Sequence, residues 1–429
     1  MRPPSTPTTQ HETTNWAATT FASLRYRDFR YLLLSTTSLG FGQWFQQIGM
    51  GWMVYVITNS PIQIGIVATI RGLAVVVLSI PAGVLADRYD RRTLVLWATA
   101  LAVLQASALA ILVLFGAIQW WHLWLFALVD GISAAFNQPA RSALVYDQVG
   151  PKTLENAIAL TAVTNNLARV TGPTIAGMII AWVGVSACFV TLAGLKILAF
   201  LLTMPIRPAP PASASKAVVR GWRSYMEGLV VVGRSRVLLG LLILQVIPSV
   251  LVYPYMPFVP IFTSEVLGLG KNAFAYGFLL SAVGFGSLVG AAMMAGRGSG
   301  QSGGKLMLGG AFFYMLMIML FSLSSWLPLS FGILILAGLF NVYNLNLNQT
   351  FYQLHTPNEA RGRVLAVNGL IGPGIQPIGN MVMGAGIAGW GFPKTVASFT
   401  AVAAVTTVIL AVAIPEIWRL RAPSGETRR

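Results

Sequence analysis

The sequence is poor in charged residues, in cysteine and in histidine. Only 9% of its 429 residues are charged, whereas an ordinary soluble domain has about one quarter. The single cysteine, Cys188, excludes a disulfide within the chain. The three histidines, His11, His122 and His355, are too widely separated to predict a metal-ligand cluster. We therefore expect neither a metal nor a cofactor.

The chain also lacks the phosphate-binding loop of an ATP-driven pump. The nearest approach to G-x-x-x-x-G-K-[ST] ends in Gly304-Lys305-Leu306, which has neither the first glycine nor the hydroxyl residue. No group of candidate nucleophile, base and metal ligand gathers at the end of an apolar run, so the sequence does not favour a membrane enzyme.

Apolar sequence is abundant. Hydrophobic residues make up 55% of the chain, and the mean hydropathy is +0.71. A helix needs about 20 apolar residues to cross a bilayer. Breaking the chain at its charges, prolines and glycines predicts an all-α integral membrane protein with these transmembrane spans: 31–57, 62–86, 93–115, 120–146, 155–182, 185–204, 237–262, 274–296, 304–324, 327–352, 362–389 and 394–415.

The basic residues are distributed unequally between the two sides of these spans. Of 28 Lys and Arg residues, two fall on one side (Lys271 and Lys394), three lie within spans, and the remaining 23 fall on the other side. Positive charge marks the cytoplasmic side of a membrane protein. We therefore expect a multi-pass protein of the inner (plasma) membrane with both termini in the cytoplasm. The same distribution explains the net charge of +16 without a nucleic-acid partner.

The longest polar break separates six spans from six. The predicted organisation is a cytoplasmic tail (1–30), a first six-helix bundle (31–204), a cytoplasmic linker (205–236), a second six-helix bundle (237–415) and a second tail (416–429). The segments NQPARSALVYDQVGPK and NQTFYQLHTPNEARGR occupy matching junctions in the two halves, which is typical of two parallel repeats.

The linker itself allows two interpretations. Trp222, Met226 and Leu229 recur at helical spacing, which suggests an amphipathic helix on the inner leaflet. A solvated linker held by positive charge is the alternative. No secretory signal is evident in the first thirty residues, so we expect the first span to be an anchor.

Two motifs carry a family resemblance. Between spans two and three, the pattern G-x-L-A-D-R-x-G-R-R is matched by Gly83, Leu85, Ala86, Asp87, Arg88, Arg91 and Arg92, with Asp90 in place of the usual glycine. This motif resembles the loop motif of the major facilitator superfamily of transporters. The resemblance to this superfamily covers residues 25 to 415. That resemblance implies two pseudo-symmetric six-helix bundles and transport by alternating access.

The second motif lies in span five. Arg169-Val-Thr-Gly-Pro-Thr-Ile-Ala-Gly177, with Gly172 and Pro173 at its centre, resembles the G-P-x-x-x-G motif that is associated with exporters; Ala168 replaces its usual leading glycine. Together with Arg361-Gly-Arg-Val364, it makes the chain most similar to the branch that contains the enterobactin exporter and drug-efflux proteins. A bend at Gly-Pro with close packing would seal the interface between the bundles, and an ordinary kink is the alternative.

The resemblance implies a gate at the cytoplasmic ends of the helices. Asp87 is expected to cap the start of span eleven, and Asp147 is the expected partner of Arg91 and Arg92. These contacts must break and reform during transport. A role in membrane topology alone is the alternative.

Charges inside the spans are costly in lipid and are therefore functional or paired. Asp130 and Arg71 lie at matching depth, and Arg169 is a second possible partner of Asp130. Asp130 is the candidate proton carrier, although many proton-coupled members have an arginine where this chain has Ala127. A purely structural pair is the alternative. Lys196 is counted with Arg71 and Arg169 as a charge within the spans, and extension of its long side chain to the membrane interface is the alternative.

In the superfamily, spans one, four, seven and ten line the central cavity, and here each has a polar stripe. The stripes comprise Gln43 and Gln47; Asp130 and Asn137; Gln245, Ser249 and Tyr253; and Asn341, Asn344, Asn348 and Tyr352. Amides that faced lipid would be unsatisfied, so these faces point to protein or water. They line a cavity or hold helices together. Surplus positive charge within the spans favours an anionic or neutral cargo.

The sequence therefore favours a monomeric secondary active exporter of a small organic molecule, such as a drug or a siderophore, with counter-flow of protons. Import is the alternative within transport. A membrane sensor or partner-binding protein on the same fold is the alternative from another class.

Overall fold

The computed structural model describes residues 22–208, 222–296, 303–357 and 359–421, and within these ranges it contains helices and no strands. The helices are α1 (Arg27–Thr58), α2 (Pro61–Arg88), α3 (Arg91–Leu114), α4 (Trp120–Trp182), α5 (Val185–Thr203), α6 (Trp222–Arg234), α7 (Arg236–Leu251), α8 (Ala273–Gly296), α9 (Gly303–Leu323), α10 (Leu327–Leu354), α11 (Arg361–Trp390) and α12 (Phe392–Ala413). Short 3₁₀ turns precede α1 at Ala22–Arg25 and follow α12 at Pro415–Arg419.

Judged by length and composition, eight segments among the described residues are long and apolar enough to cross a membrane. This number agrees with a multi-pass membrane protein. The eight segments come from α2, α3, α5, α7 with its extension, α8, α9, α10 and α12. The other four predicted spans lie in the longer and more polar helices α1, α4 and α11. Two of them are in α4, one on each side of a kink. For these four, membrane crossing stays a prediction.

Spans four and five are two helices, as predicted, but they meet directly at a kink within α4, whereas the sequence predicted a polar turn between residues 146 and 155. The bend is at Gly150, whose φ of 68° is outside the helical region. Glycine adopts this conformation without steric cost, and Pro151 can begin a helix because the first turn needs no N–H donor. We refer to 120–149 and 151–182 as the first and second limbs of α4.

Prolines interrupt span seven before its predicted end. After Leu251 the α-helix gives way to 3₁₀ turns (Tyr253–Phe258), one α-helical turn (Val259–Ile261) and a π-helical turn (Phe262–Val266). Pro254, Pro257 and Pro260 cannot donate backbone hydrogen bonds, so a regular helix cannot continue through them.

The helices pack as two bundles. In the first, both α1 and α3 pack against α4 and α5, and α2 packs against α4; in the second, α9 packs against α10 and α12, α8 against α10, and α7 against α11 and α12. Small residues permit close packing, since a Cβ at Gly290 of α8 would lie 2.8 Å from the Leu339 carbonyl oxygen of α10. The residue boundaries of the two domains stay a prediction.

Two helix pairs join the bundles, α2 with α11 and the second limb of α4 with α8. Thr69 Oγ1 donates to the Pro377 carbonyl at 2.9 Å, and Thr174 Oγ1 lies 2.7 Å from Ser281 Oγ. Both threonines lie eight residues, or about 12 Å, from the helix ends at Pro61 and Trp182. We call this end of the molecule the far end, and the end with Gly150 and α6 the linker end.

The described contacts between α2 and α11 differ along the length of the two helices. A Cβ added at Gly65 would lie 2.7 Å from the Asn380 carbonyl oxygen, so α2 and α11 are in close contact near the far end. In contrast, a Cβ at Gly83 of α2, or at Gly369 or Gly372 of α11, would have no neighbour within 4 Å among the described residues. Among the described residues, the close contacts between α2 and α11 therefore lie toward the far end.

The linker contains the amphipathic helix that was one of its two interpretations. This helix, α6, packs against α11 and α7. Arg363 Nη1 lies 2.8 Å from Glu227 Oε2, and a Cβ at Gly228 would lie 2.6 Å from the Arg363 carbonyl oxygen. Met226 is exposed. The proline-rich segment at 209–221 and the side chain of Trp222 lie outside the described residues.

We predict that the two ends of the molecule face different aqueous compartments. Lys271 and Lys305 are exposed at opposite ends, so a membrane-impermeant maleimide added to intact cells should label Lys271→Cys but not Lys305→Cys. In everted membrane vesicles, the same reagent should label Lys305→Cys but not Lys271→Cys. The unaltered chain is the control, because Cys188 is completely buried and should not react. Labelling of both variants from the same side would contradict the topology.

We also predict that α8 tolerates no side chain where it crosses α4. A Cβ at Gly277 would collide with the Pro173 carbonyl oxygen, so Gly277→Ala should lower the thermal midpoint of the detergent-solubilised protein, as overpacking typically costs about 1–3 kcal/mol. Gly309→Ala in α9 is the matched control, because its Cβ would have no described neighbour within 4 Å. Equal midpoints for the two variants would contradict the close packing.

Candidate functional site

A buried charge cluster lies at the centre of the first bundle. Asp130 in the first limb of α4 is 8% exposed. Its Oδ2 lies 2.8 Å from Arg71 Nε of α2, and its Oδ1 lies 3.1 Å from Lys196 Nζ of α5. Arg169, the other partner considered from the sequence, is not part of this contact.

Lys196 is the residue of the cluster that sequence reasoning missed. The sequence counted it among the charges within the spans, without assigning it to Asp130, and it is only 4% exposed. Its Nζ also donates to Gln46 Oε1 at 3.3 Å and to Gln105 Oε1 at 3.0 Å. Since an ammonium group in an apolar interior needs acceptors for its donors, polar residues at matching depth in neighbouring spans were the signal that could have revealed it. The cluster joins five helices, α1 to α5.

A second buried cation, Arg141, lies closer to the linker end. The sequence counted it among the cytoplasmic charges, but it is only 7% exposed. It donates to Asn137 Oδ1 at 3.0 Å, Ser35 Oγ at 3.0 Å and Thr36 Oγ1 at 3.1 Å. Asn137 also donates to Thr99 Oγ1 at 2.9 Å. Asn137, predicted to line the cavity, thus joins α3 to Arg141.

The motif between α2 and α3 is held by two different contacts. Arg91 Nη1 lies 2.6 Å from Asp147 Oδ1. Arg92, which was expected to share that carboxylate, instead donates from Nη2 to the Met204 carbonyl at 2.6 Å. Consecutive residues point to different faces of a helix, so only one of these arginines can face Asp147.

Asp90 has a local structural role at the position where the family has glycine. Its Oδ2 accepts hydrogen bonds from Thr93 N at 2.8 Å and from Thr93 Oγ1 at 2.6 Å. It therefore caps the N-terminus of α3. The side chains of Asp87 and Arg88 lie outside the described residues, although both belong to α2.

The motif in the second limb of α4 lies against two neighbouring helices. Gly172 and Pro173 are buried. A Cβ added at Gly172 would lie 3.0 Å from Trp44 Cβ of α1, and one at Gly177 would lie 2.5 Å from the Ala273 carbonyl oxygen of α8. Both glycines therefore permit close packing, and Gly177 does so at the junction between the bundles.

A polar cavity of ≈ 340 Å³ lies between α7, α10 and α11. Four residues predicted to face a cavity line it: Gln245, Tyr253, Asn344 and Asn348. Sequence reasoning missed the wall from α11, which includes Asn368, Gly369 and Gly372. The family resemblance does not place this span among the four that line the cavity, so Asn368 was not considered as a candidate.

The amides of this cavity have unused hydrogen-bonding capacity. Gln245 Oε1, Asn344 Oδ1 and Asn368 Oδ1 are buried and have no partner among the described residues. Buried polar atoms are normally satisfied, so these oxygens are available to water or a bound solute. Asn348 instead donates to the Leu241 carbonyl at 3.0 Å.

The remaining predicted cavity residues are placed differently. Asn341 is buried and accepts a hydrogen bond from Tyr253 Oη at 3.0 Å. Gln43 is exposed and Gln47 is half-buried on α1. Neither of these glutamines borders the cavity between α7, α10 and α11.

Comparison with known proteins gives consistent matches over most of the chain. The profile of a family described as transmembrane secretion effector matches residues 18–428. The staphyloferrin A transporter of Staphylococcus aureus is 26% identical over 379 residues, which cover 82% of this chain and 88% of that protein. The enterobactin exporter EntS of Escherichia coli O1:K1 is 30% identical over 322 residues, with 74% of each chain covered.

Solved structures share the fold at low sequence identity. A mutant of the peptide transporter POT in complex with sulfate superposes with a TM-score of 0.71 at 14% identity, covering 92% of this chain and 96% of that one. The nucleoside transporter NupG gives a TM-score of 0.69 at 11% identity, covering 92% and 100%. These likenesses show that the chain shares the overall fold of these transporters.

We predict unequal costs for removing the two ends of the Asp130–Lys196 pair. Asp130→Asn leaves Arg71 and Lys196 without a counter-charge and should destabilise the protein by about 3–5 kcal/mol, as breaking a buried pair does. Lys196→Gln should lower the stability of the protein by a smaller amount, because Arg71 still neutralises Asp130. Adding Lys196→Gln to Asp130→Asn should recover part of the loss.

The measurement is the thermal midpoint of purified protein in detergent. Asp147→Asn serves as a comparison, because it breaks a pair whose arginine side chain is 25% exposed and should have a smaller effect. A larger loss from Lys196→Gln than from Asp130→Asn, or no recovery in the double variant, would contradict the geometry.

Proposed function

The chain belongs to the transmembrane secretion effector family of the major facilitator superfamily, and from this membership we propose that it is a proton-coupled exporter of a small organic solute. Its secondary transport by alternating access is shared with the family. The proposal adds the direction of transport, the coupling ion and the class of cargo.

The observation that carries the proposal is that the described contacts between the bundles lie toward the far end, which supports a state that is open at the linker end. The contacts Thr69 to Pro377 and Thr174 to Ser281 join the bundles nearer the far end. The orphan oxygens of Gln245, Asn344 and Asn368 lie in a cavity between helices of the second bundle. If basic residues mark the cytoplasmic side, this is the state in which an exporter takes up its cargo.

The Asp130 cluster supports proton coupling. The Arg71 side chain is 42% exposed although it touches a carboxylate that is almost buried, so water can approach the cluster. Protonation of Asp130 would remove the one negative charge that holds Arg71 and Lys196 together. The helices that these residues join would then be free to repack, which links a proton to a conformational change.

The linker end would close through the motif between α2 and α3. Asp87 is the proposed contact with the start of α11, where the positive end of the helix dipole favours a carboxylate. In the open state, α6 lies beside this start through Glu227 and Arg363. The ion pair of Arg91 and Asp147 would keep α3 and α4 packed together while the linker end closes.

The relatives support a siderophore-like cargo. The matched proteins transport staphyloferrin A in one case and export enterobactin in the other. By likeness we propose a multidentate iron chelator or a drug of similar size. We expect the protein to act as a monomer, because each chain contains both bundles.

We predict that Asp130→Asn uncouples transport from the proton gradient but still allows cargo to cross the membrane. Everted vesicles that carry the protein should accumulate enterobactin or staphyloferrin A when a proton gradient is imposed, and a protonophore should abolish this uptake. Asp130→Asn should reduce gradient-driven uptake by about tenfold or more, since one charged contact contributes about 1.5–3 kcal/mol. Exchange of labelled for unlabelled cargo without a gradient should persist.

Glu265→Gln is the matched control, because Glu265 is an exposed carboxylate near the far end. Accumulation in right-side-out vesicles instead of everted ones would indicate import. Absence of any cargo movement, with the protein correctly folded, would favour the sensor or partner-binding alternative.

A further inference from the structure

The cavity between α7, α10 and α11 has no charged side chain in its wall among the described residues. Its polar members are carboxamides and one phenol, among them Gln245, Tyr253, Asn344, Asn348 and Asn368. An ion that moved from water into such a cavity would find no counter-charge, and burial of an unpaired charge is costly. The cavity is therefore suited to an uncharged polar group.

Two hydrogen-bond donors of this wall are directed at the protein itself. Tyr253 Oη donates to Asn341 Oδ1 at 3.0 Å, and the Tyr253 ring lies 5.7 Å from the ring of Tyr314, measured between centroids. Asn348 Nδ2 donates to the Leu241 carbonyl at 3.0 Å. Both side chains are therefore held in place by contacts within the second bundle.

The acceptors of three other side chains in the wall are free. Gln245 Oε1, Asn344 Oδ1 and Asn368 Oδ1 are buried and have no partner among the described residues. The orientation of the Gln245 amide is set by its nitrogen, which donates to the Asn368 backbone carbonyl at 3.4 Å. If this amide were reversed, two oxygen atoms would face each other, and neither could donate. The wall thus presents unused acceptors.

The three oxygens come from three helices at similar depth. Gln245 and Asn368 lie nine and seven residues after the starts of α7 and α11, and Asn344 lies ten residues before the end of α10. At about 1.5 Å per residue, these separations are about 10 to 15 Å. A solute that contacted all three would therefore bind inside the second bundle, in the half nearer the linker end.

Two glycines of α11 leave room for such a solute. A Cβ added at Gly369 or Gly372 would have no neighbour within 4 Å among the described residues, and both glycines line the cavity. The volume of ≈ 340 Å³ is near the lower end of the range for ligand sites, about 300–1,000 Å³. The cavity can therefore hold one functional group of a larger molecule, with the ring or short chain that carries it.

We propose that Gln245, Asn344 and Asn368 form a subsite that accepts hydrogen bonds from an uncharged donor group of the cargo, either a hydroxyl or an amide N–H. The proposal rests on the proposed transport function and specifies the part of the cargo that the second bundle binds. A hydroxyl or amide supplies the protons that the three oxygens lack. A carboxylate would place further lone pairs against them and is disfavoured.

The first test compares two asparagines that lie one turn apart on α10 and are both buried. Asn344→Leu removes an oxygen that has no partner, so it should not lower the thermal midpoint of the purified full-length protein in lipid nanodiscs. Asn348→Leu removes the hydrogen bond to the Leu241 carbonyl and should lower the midpoint. A midpoint for Asn344→Leu that is equal to or below that of Asn348→Leu would overturn the subsite.

The second test measures binding to the same nanodiscs by saturation-transfer NMR titration, with empty nanodiscs as the blank. The probes are benzamide beside N,N-dimethylbenzamide, which has no N–H, and catechol beside 1,2-dimethoxybenzene, which has no O–H. The wild type should bind at least one donor about two- to tenfold more tightly than its methylated counterpart, as expected for one net hydrogen bond. The pair that shows this preference identifies amide or hydroxyl recognition. Benzoate should bind more weakly than benzamide.

Variants of the wall should change these affinities in different ways. Asn344→Leu should reduce the preference for the donor, whereas Gly372→Leu should weaken the binding of every probe because its side chain fills the cavity. Gly309→Leu is the matched control. A Cβ at Gly309 also has no described neighbour within 4 Å, but this glycine does not line the cavity, so binding should be unchanged.

Equal affinity for the donor and the methylated probe in both pairs would overturn the subsite, even if the vesicles transport their cargo. Tighter binding of benzoate than of benzamide would overturn it as well. A donor preference in a protein that moves no cargo would support the subsite and contradict the transport proposal. The two failures are therefore distinguishable.

Discussion

Asp130 carries the only negative charge among the buried charged residues of the described chain, and the arrangement of the first bundle depends on its pairing. Its two oxygens accept from Arg71 and Lys196, and the ammonium of Lys196 reaches the amides of Gln46 and Gln105. An ion in a medium of low dielectric is tolerated only when its charge and its hydrogen-bonding groups are satisfied. Five helices must therefore keep their mutual positions for one carboxylate to remain paired.

A different kind of contact joins the bundles, and it relies on small residues. At Gly65, Gly277 and Gly284 the opposing backbone comes so close that a side chain would collide with a carbonyl oxygen. Such interfaces gain stability from close packing and need few specific bonds. This makes them suitable surfaces for bundles that separate and rejoin, whereas the charge cluster keeps the interior of one bundle intact.

The candidate site was partly accessible to sequence reasoning. A carboxylate and an arginine at matching depth pointed to Asp130 and Arg71, because unpaired charges are costly in lipid. The same principle placed Lys196 within a span but left extension to the interface open, since its side chain is long, and it did not reveal that Lys196 pairs with Asp130. Arg141 was assigned to the cytoplasm because its position near the end of a span is compatible with either location. Only the packing of α1 against α4, which brings Ser35 and Thr36 to its guanidinium, decides this.

The amino-acid sequence alone determined the class of protein, the approximate ends of the helices and the family. These follow from local composition, since about twenty consecutive apolar residues and a charged loop motif need no knowledge of tertiary contacts. The tertiary structure decided which polar atoms meet, that two helices meet directly at Gly150, and that Arg92 reaches the end of α5. These features depend on the rotation and spacing of helices that are distant in sequence, and hydropathy along the chain carries no information about either.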